Sequence, residues 1–255
     1  MTRPPALLGT EREVLAMIGD VDDAHRQSLS RLHHHGPGLV ESMPRVQPNR
    51  RAFLLGSTAA VGAMALAACG GSKGSPSAVT PGTVRAAHLS GDVQIAAMAA
   101  GLENLAVSTY KVALDAATGG ALGAVPPAIL VFFRTVIQHH QDHADAWNGV
   151  VGSTGHAKIT EVDKVLKPTI DQMVAKVTDV AGMARLALTV EDIAAATYLN
   201  GITVIQNHDA LKTAASIQPV EMQHAAILHF VLGDEPVPDT FAKLDGARPP
   251  SDFTG

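Results

Sequence analysis

Leu102-Glu103-Asn104-Leu105-Ala106-Val107-Ser108-Thr109-Tyr110 aligns without gaps on Val190-Glu191-Asp192-Ile193-Ala194-Ala195-Ala196-Thr197-Tyr198, and each stretch carries a glutamate seven residues ahead of a tyrosine. Seven residues make about two turns of an α-helix, so in each stretch the glutamate and the tyrosine share one face. The rest of that face is apolar, which predicts that Glu103 and Glu191 point into a core. A second recurrence accompanies the first: Gln141-Asp142-His143-Ala144 matches Met222-Gln223-His224-Ala225. His140 stands three residues before His143, and Glu221 three before His224. That spacing puts two side chains on one helix face, able to grip one ion or to bridge two. The chain therefore reads as two helix pairs, each supplying a lone glutamate and then a close pair ending in histidine.

The flanking sequence supplies the four helices this reading needs. Residues 90–117 are apolar with a helical period, open on Ser90 as an N-cap and stop at Gly119-Gly120. Residues 126–152 begin at Pro126-Pro127, where proline suits the first turn. Residues 179–206 and 209–232 form the third and fourth segments, the last stopped by Gly233; Pro219 predicts either a kink or a later start there. Between the second and third, residues 155–178 include Pro168 and room for a short helix, enough chain to cross from one end of a bundle to the other. Pro236, Pro238, Pro249 and Pro250 make residues 234–255 an irregular tail.

Bulk composition agrees. Only 17% of the 255 residues are charged and 4% aromatic, while small and aliphatic residues abound, which suits close helix packing better than a strand-rich sandwich. A formal charge of −5, with neither a glycine-rich phosphate loop nor a basic stripe, excludes nucleic acid as the expected partner.

The ordered recurrence resembles the ferritin-like superfamily, in which a four-helix bundle presents Glu, Glu-x-x-His, Glu and Glu-x-x-His to a paired-metal site. More narrowly it is similar to exported ferritin-like proteins related to desiccation-associated proteins. The resemblance spans residues 88–233 and implies an all-α, ferritin-like four-helix bundle with a long crossover between helices 2 and 3. It implies metal ligands at Glu103, His140, His143, Glu191, Glu221 and His224, holding iron or manganese, with zinc as a further option. One departure is visible: the second helix should offer a glutamate where this chain has His140. A neutral imidazole there removes a negative charge and a bridge, which brings a single ion, or none, into consideration. Tyr110 and Tyr198 are expected to pack beside the ligands with their hydroxyls bonded. His139, His208 and His229 read as surface residues or partners of the ligands, and Trp147 as core. Taken singly, Glu103 and Glu191 could be exposed acids, Glu221 a first-turn acid after Pro219, and His143 and His224 core histidines bonded to backbone carbonyls. None of those readings predicts a matched repeat.

Upstream, Asn49-Arg50-Arg51-Ala52-Phe53-Leu54-Leu55 sets an arginine pair before an apolar run, residues 53–68, too short for a comfortable membrane span. The run ends in Leu66-Ala67-Ala68-Cys69-Gly70, which resembles a lipobox, and Cys69 is the only cysteine. Residues 43–69 are thus expected to be a twin-arginine lipoprotein signal, with Arg50 and Arg51 read by the export machinery and Cys69 receiving the lipid. Residues 70–87 follow as a Gly/Ser/Pro linker. This implies a protein held on the outer face of the cytoplasmic membrane without spanning it, as a monomer or dimer, since a closed iron-storing shell sits poorly with an anchor. Met43 offers a conventional start, so residues 1–42 are either outside the translated protein or a cytoplasmic extension. In the second case residues 10–32 form an amphipathic helix ahead of His33-His34-His35, and the extension is removed on cleavage.

Two function classes remain after this reading. One is a metal enzyme acting on oxygen or peroxide, with open positions on its ion. The other is a non-catalytic envelope lipoprotein, an interaction or stress-protection module with a degenerate metal site, toward which the His140 departure points.

Overall fold

A computed structural model describes residues 10–34, 89 and 91–249. The expected signal with Arg50, Arg51 and Cys69, the linker and the histidine trio's side chains lie outside the described residues. Six helices and no strand occur among those described: α1 (Glu11–His34), α2 (Asp92–Thr118), α3 (Pro127–Ser153), α4 (Lys167–Val174), α5 (Val180–Val204) and α6 (His208–Leu232). The fold is all-α, as expected.

Local chemistry explains most helix ends. Pro127 opens α3, where its missing N–H costs no helical bond. Asp179 caps α5 by accepting the Gly182 N–H at 2.7 Å, and Asn207 caps α6 through the N–H groups of Asp209 and Ala210. Gly233 ends α6 at a φ of 82°, a left-handed turn that few side chains tolerate. Two expectations change in detail. The N-cap of α2 is Gly91 rather than Ser90. Of the two expectations for Pro219 the later start is excluded, since α6 runs unbroken through it.

Short connections pair α2 with α3 and α5 with α6, and residues 154–179, carrying α4, cross between the pairs. The crossover is pinned to the bundle by polar side chains that its own composition does not advertise. Asn148 accepts the Ile159 N–H at 2.7 Å and donates to the Ile159 carbonyl at 3.1 Å, while Asn104 donates to the carbonyls of Ile159 and Glu161. Buried Arg248, from the irregular tail, pairs with buried Asp163 at 3.0 Å.

The apolar core divides into two clusters. One gathers Leu105, Tyr110, Phe132, Phe133, Met183 and Leu228; the other centres on Ile95, Trp147, Tyr198, Ile205 and Ile217. Along α2, α3 and α5 the lone glutamates and the histidine pair fall between the stretches that feed the two clusters, so the polar residues form a layer walled off above and below.

α1 is the element the sequence placed least well. Thr10 and Glu13 form a capping box, Thr10 donating its N–H to Glu13 at 2.8 Å. Val14, Ile18 and Val21 make an apolar stripe at helical spacing, and all three are buried in the first cluster. The amphipathic helix expected within residues 10–32 is thus packed on the bundle, against α3 and α6. Among the described residues no helix is long and apolar enough to cross a membrane.

Candidate metal centre

Six side chains from four helices meet in the polar layer: Glu103 from α2, His140 and His143 from α3, Glu191 from α5, and Glu221 and His224 from α6. None is more than 2% exposed, so water cannot solvate their charges and each must be balanced from within. The exposed-acid reading of Glu103 and Glu191 fails on that burial, and the first-turn reading of Glu221 fails because α6 begins at His208. His140 and His224 bond to carboxylates rather than to backbone carbonyls, and His143 has carboxylates as its nearest polar neighbours.

His140 lies at the centre. Its Nδ1 is 2.7 Å from Glu103 Oε2 and its Nε2 3.3 Å from Glu191 Oε1, so one imidazole links the two repeated glutamates. His224 Nδ1 sits 3.2 Å from Glu191 Oε2 and 3.3 Å from Glu221 Oε2. His143 Nδ1 approaches Glu221 Oε1 to 2.9 Å. The tyrosines bond crosswise: Tyr110 of α2 donates to Glu191 of α5, and Tyr198 of α5 donates to Glu103 of α2. Trp147 Nε1 donates in turn to the Tyr198 hydroxyl at 3.0 Å. Each lone glutamate is therefore steered by the tyrosine of the other repeat.

The electrostatics follow from crowding opposite charges out of water. Burial alone would raise the Glu103 carboxyl, but the imidazolium charges of His143 and His140 hold it down at about 2. Glu191 is likewise lowered well below the usual carboxylate range, against its burial, by His140 and His224. Burial disfavours each imidazolium, yet Glu221 and Glu191 raise His140 well above its ordinary range, Glu103 and Glu221 raise His143 to about 9, and Glu191 raises His224. Burial, then the neighbouring carboxylates, push Tyr110 and Tyr198 far up, which keeps both as neutral donors. Without a metal, protons on the histidines balance the three carboxylates.

Two overlapping sets of ligand atoms can each hold a metal ion. Glu103, His140, His143 and Glu221 each offer an atom within 4.8 Å of the others, and so do His140, Glu191, Glu221 and His224. The donors are carboxylate oxygen and imidazole nitrogen, a mixture suited to iron, manganese or zinc. The orphaned atoms carry the fit. Both ring nitrogens of His143 and Oε1 of Glu221 are buried without a hydrogen bond, even though His143 Nδ1 and Glu221 Oε1 are only 2.9 Å apart. Close approach without hydrogen-bond alignment marks atoms that converge on a shared point, as metal ligands do. A buried orphan is otherwise costly.

Of the two sequence readings of His139, surface residue or partner of the ligands, the structure selects the second, and sequence reasoning missed Asp22 and His25 behind it. His139 is fully buried, with Nδ1 3.0 Å from His224 Nε2 and Nε2 3.1 Å from Asp22 Oδ1. His25 reaches Asp142 Oδ2 at 3.1 Å and stacks on His139 with ring centres 4.0 Å apart. Burial and the neighbouring histidines keep both rings neutral, lowering His25 to about 4 and His139 further. The available signal was the spacing of Asp22 and His25, three residues apart like the ligand pairs on α3 and α6.

Comparison with curated proteins and with solved structures gives no match. A family model described as the ferritin-like domain matches residues 91–234, more than half of the chain and all four helices of the bundle. With its paired helices, its crossover and its buried Glu/His layer, this chain belongs to the ferritin-like domain family.

Proposed function

We propose that this protein is an exported, lipid-anchored metalloprotein of the cell envelope, related to the desiccation-associated type, whose buried layer holds one iron or manganese ion per chain for chemistry on oxygen or peroxide. The observation that carries the metal reading is the pair of overlapping, fully buried ligand sets. A single ion follows from His140. Both of its nitrogens already face carboxylates, and an imidazole has one lone pair to give unless it loses its second ring proton. Three carboxylates also balance one divalent ion with charge to spare, whereas two ions would exceed them.

A bound redox-active ion would supply an electron and an open coordination position for oxygen or peroxide. The chain's residues do the rest. Glu221, common to both sets, anchors the ion; Tyr110 and Tyr198 hold Glu191 and Glu103 in place as donors. The two apolar clusters exclude bulk water. A cleft lined by Leu102, Leu105, Ala106, Val190 and Ile193 reaches Glu103, and its apolar walls suit a small uncharged molecule.

Twin-arginine export carries folded proteins, so the ion can be loaded before the chain leaves the cytoplasm, and a lipid at Cys69 then holds a monomer or dimer at the membrane. The native protein is expected to take up a labelled fatty acid and Cys69→Ala to lose that label; an unlabelled native protein would remove the lipid anchor from this reading.

The central test is elemental analysis of protein purified from its native route without added metal, followed by oxygen and peroxide consumption assays. About one iron or manganese per chain, with turnover, is expected. His140 also favours a second reading, a non-catalytic envelope module, because it satisfies Glu103 and Glu191 internally. Zinc-loaded or metal-free protein that is folded and inert would select that reading.

A further inference from the structure

A hydrogen-bonded line runs from the metal centre out to the N-terminal helix. His224 turns Nδ1 toward Glu191 and Glu221 and Nε2 toward His139 Nδ1, 3.0 Å away. His139 turns its Nε2 toward Asp22 Oδ1 at 3.1 Å. One placement of protons satisfies every link. His224 Nε2–H donates to His139 Nδ1, and His139 Nε2–H donates to the Asp22 carboxylate, which leaves His224 Nδ1 facing the ligand set. Beside this line His25 lies over His139 and edge-on to His143, with ring centres 4.0 and 5.1 Å away. Its own Nε2 is held by Asp142, which also accepts from Gln138 at 2.8 Å.

We propose that α1 is a working part of the metal centre, in which Asp22, acting through His139, fixes the tautomer and orientation of His224 while His25 closes the flank of His143. The inference rests on the metal-binding reading of the site. Metal-bound histidines are commonly held by a carboxylate or carbonyl on their second nitrogen, and losing that partner typically weakens metal binding about 10- to 100-fold. Here the carboxylate comes from outside the four helices that supply the ligands, relayed by one extra imidazole. Asp22 is a positioning residue. Its side chain is 32% exposed, whereas His139 behind it is buried, so the line also marks where α1 seals the layer from solvent. α1 precedes Cys69 in the chain, so cleavage there would cut the covalent tie between the helix and a site already loaded.

The test uses the full chain carrying Cys69→Ala, which keeps α1 attached, with and without Asp22→Ala or Asp22→Asn. Cobalt(II) is titrated anaerobically into each, following its visible d–d bands and measuring affinity against a competing chelator; melting of the metal-free proteins is recorded in parallel. Asp22→Ala is expected to weaken cobalt binding about tenfold and to change the band intensities, with little effect on metal-free melting. Asp22→Asn keeps an acceptor oxygen and is expected to recover most of the affinity. Unchanged affinity and spectrum in Asp22→Ala would overturn the role of α1 while leaving the metal site standing. So would a fall in metal-free melting temperature with an unchanged cobalt spectrum, which is the mark of simple packing. If the parent chain binds no cobalt, both the metal reading and this inference fall.

Discussion

Replacing Glu221 with glutamine is expected to abolish stoichiometric metal binding while preserving the fold. Glu221 is one of the two residues common to both ligand sets, and its Oε1 is among the buried atoms without a hydrogen bond. Glutamine keeps the volume and an amide oxygen but removes the charge that offsets a cation in a water-free layer. Structural metal sites of four ligands bind with about 10–16 kcal/mol, so one ligand accounts for about 2.5–4 kcal/mol, roughly 70- to 900-fold in affinity. The metal-free fold tolerates the change because His224 keeps Glu191 at 3.2 Å and His143 keeps Glu103 at 3.6 Å. Elemental analysis after dialysis, with circular dichroism as the check on folding, reads both effects. Wild-type metal content in Glu221→Gln would displace the ion from the layer altogether.

The particular residues show which parts of this molecule a sequence can reveal. Glu103 with Tyr110, and Glu191 with Tyr198, were legible because helical periodicity puts residues seven apart on one face, and a repeat tells that the two faces do the same thing. The bundle and its crossover followed from that periodicity with glycine and proline punctuation. Partnership across helices was not legible. Each tyrosine shares a face with the glutamate of its own helix yet donates to the glutamate of the other, because the facing helix, not its own next turns, lies within reach of a hydroxyl. α1 could be read as an amphipathic helix from Val14, Ile18 and Val21, but an apolar stripe does not name the surface it covers. Its docking on α3 and α6 is a property of their groove, and with it came the roles of Asp22, His25 and His139. His139 was further obscured by its neighbour. Adjacent helical residues point about 100° apart, so His139 and His140 cannot both face the ligands, and only the tertiary packing shows that the second direction is also buried.

Changing His140 to glutamate is expected to raise the metal content from about one ion per chain to two and to make stability depend on metal. In the native chain the imidazole joins Glu103 to Glu191 and is shared by the two ligand sets. Glutamate is close to histidine in volume, favours helix at least as well, and offers two oxygens that can serve two ions. It also turns three carboxylates with three histidines into four with two, so two divalent ions are then balanced in charge. The same count penalises the metal-free variant. Carboxylates forced together out of water raise one another's affinity for protons and oppose the fold near neutral pH, where the native layer is held by the positive charge on His140, His143 and His224. The metal-free variant is therefore expected to melt well below the metal-free parent and to recover on addition of manganese or iron. Two ions in the parent would show that His140 does not limit the stoichiometry, and a variant that still binds one would place the limit in Glu221 or in the spacing of α2 and α5. If the variant gains its second ion and then consumes peroxide or oxygen faster than the parent, the histidine at this position is what separates the native site from paired-metal chemistry.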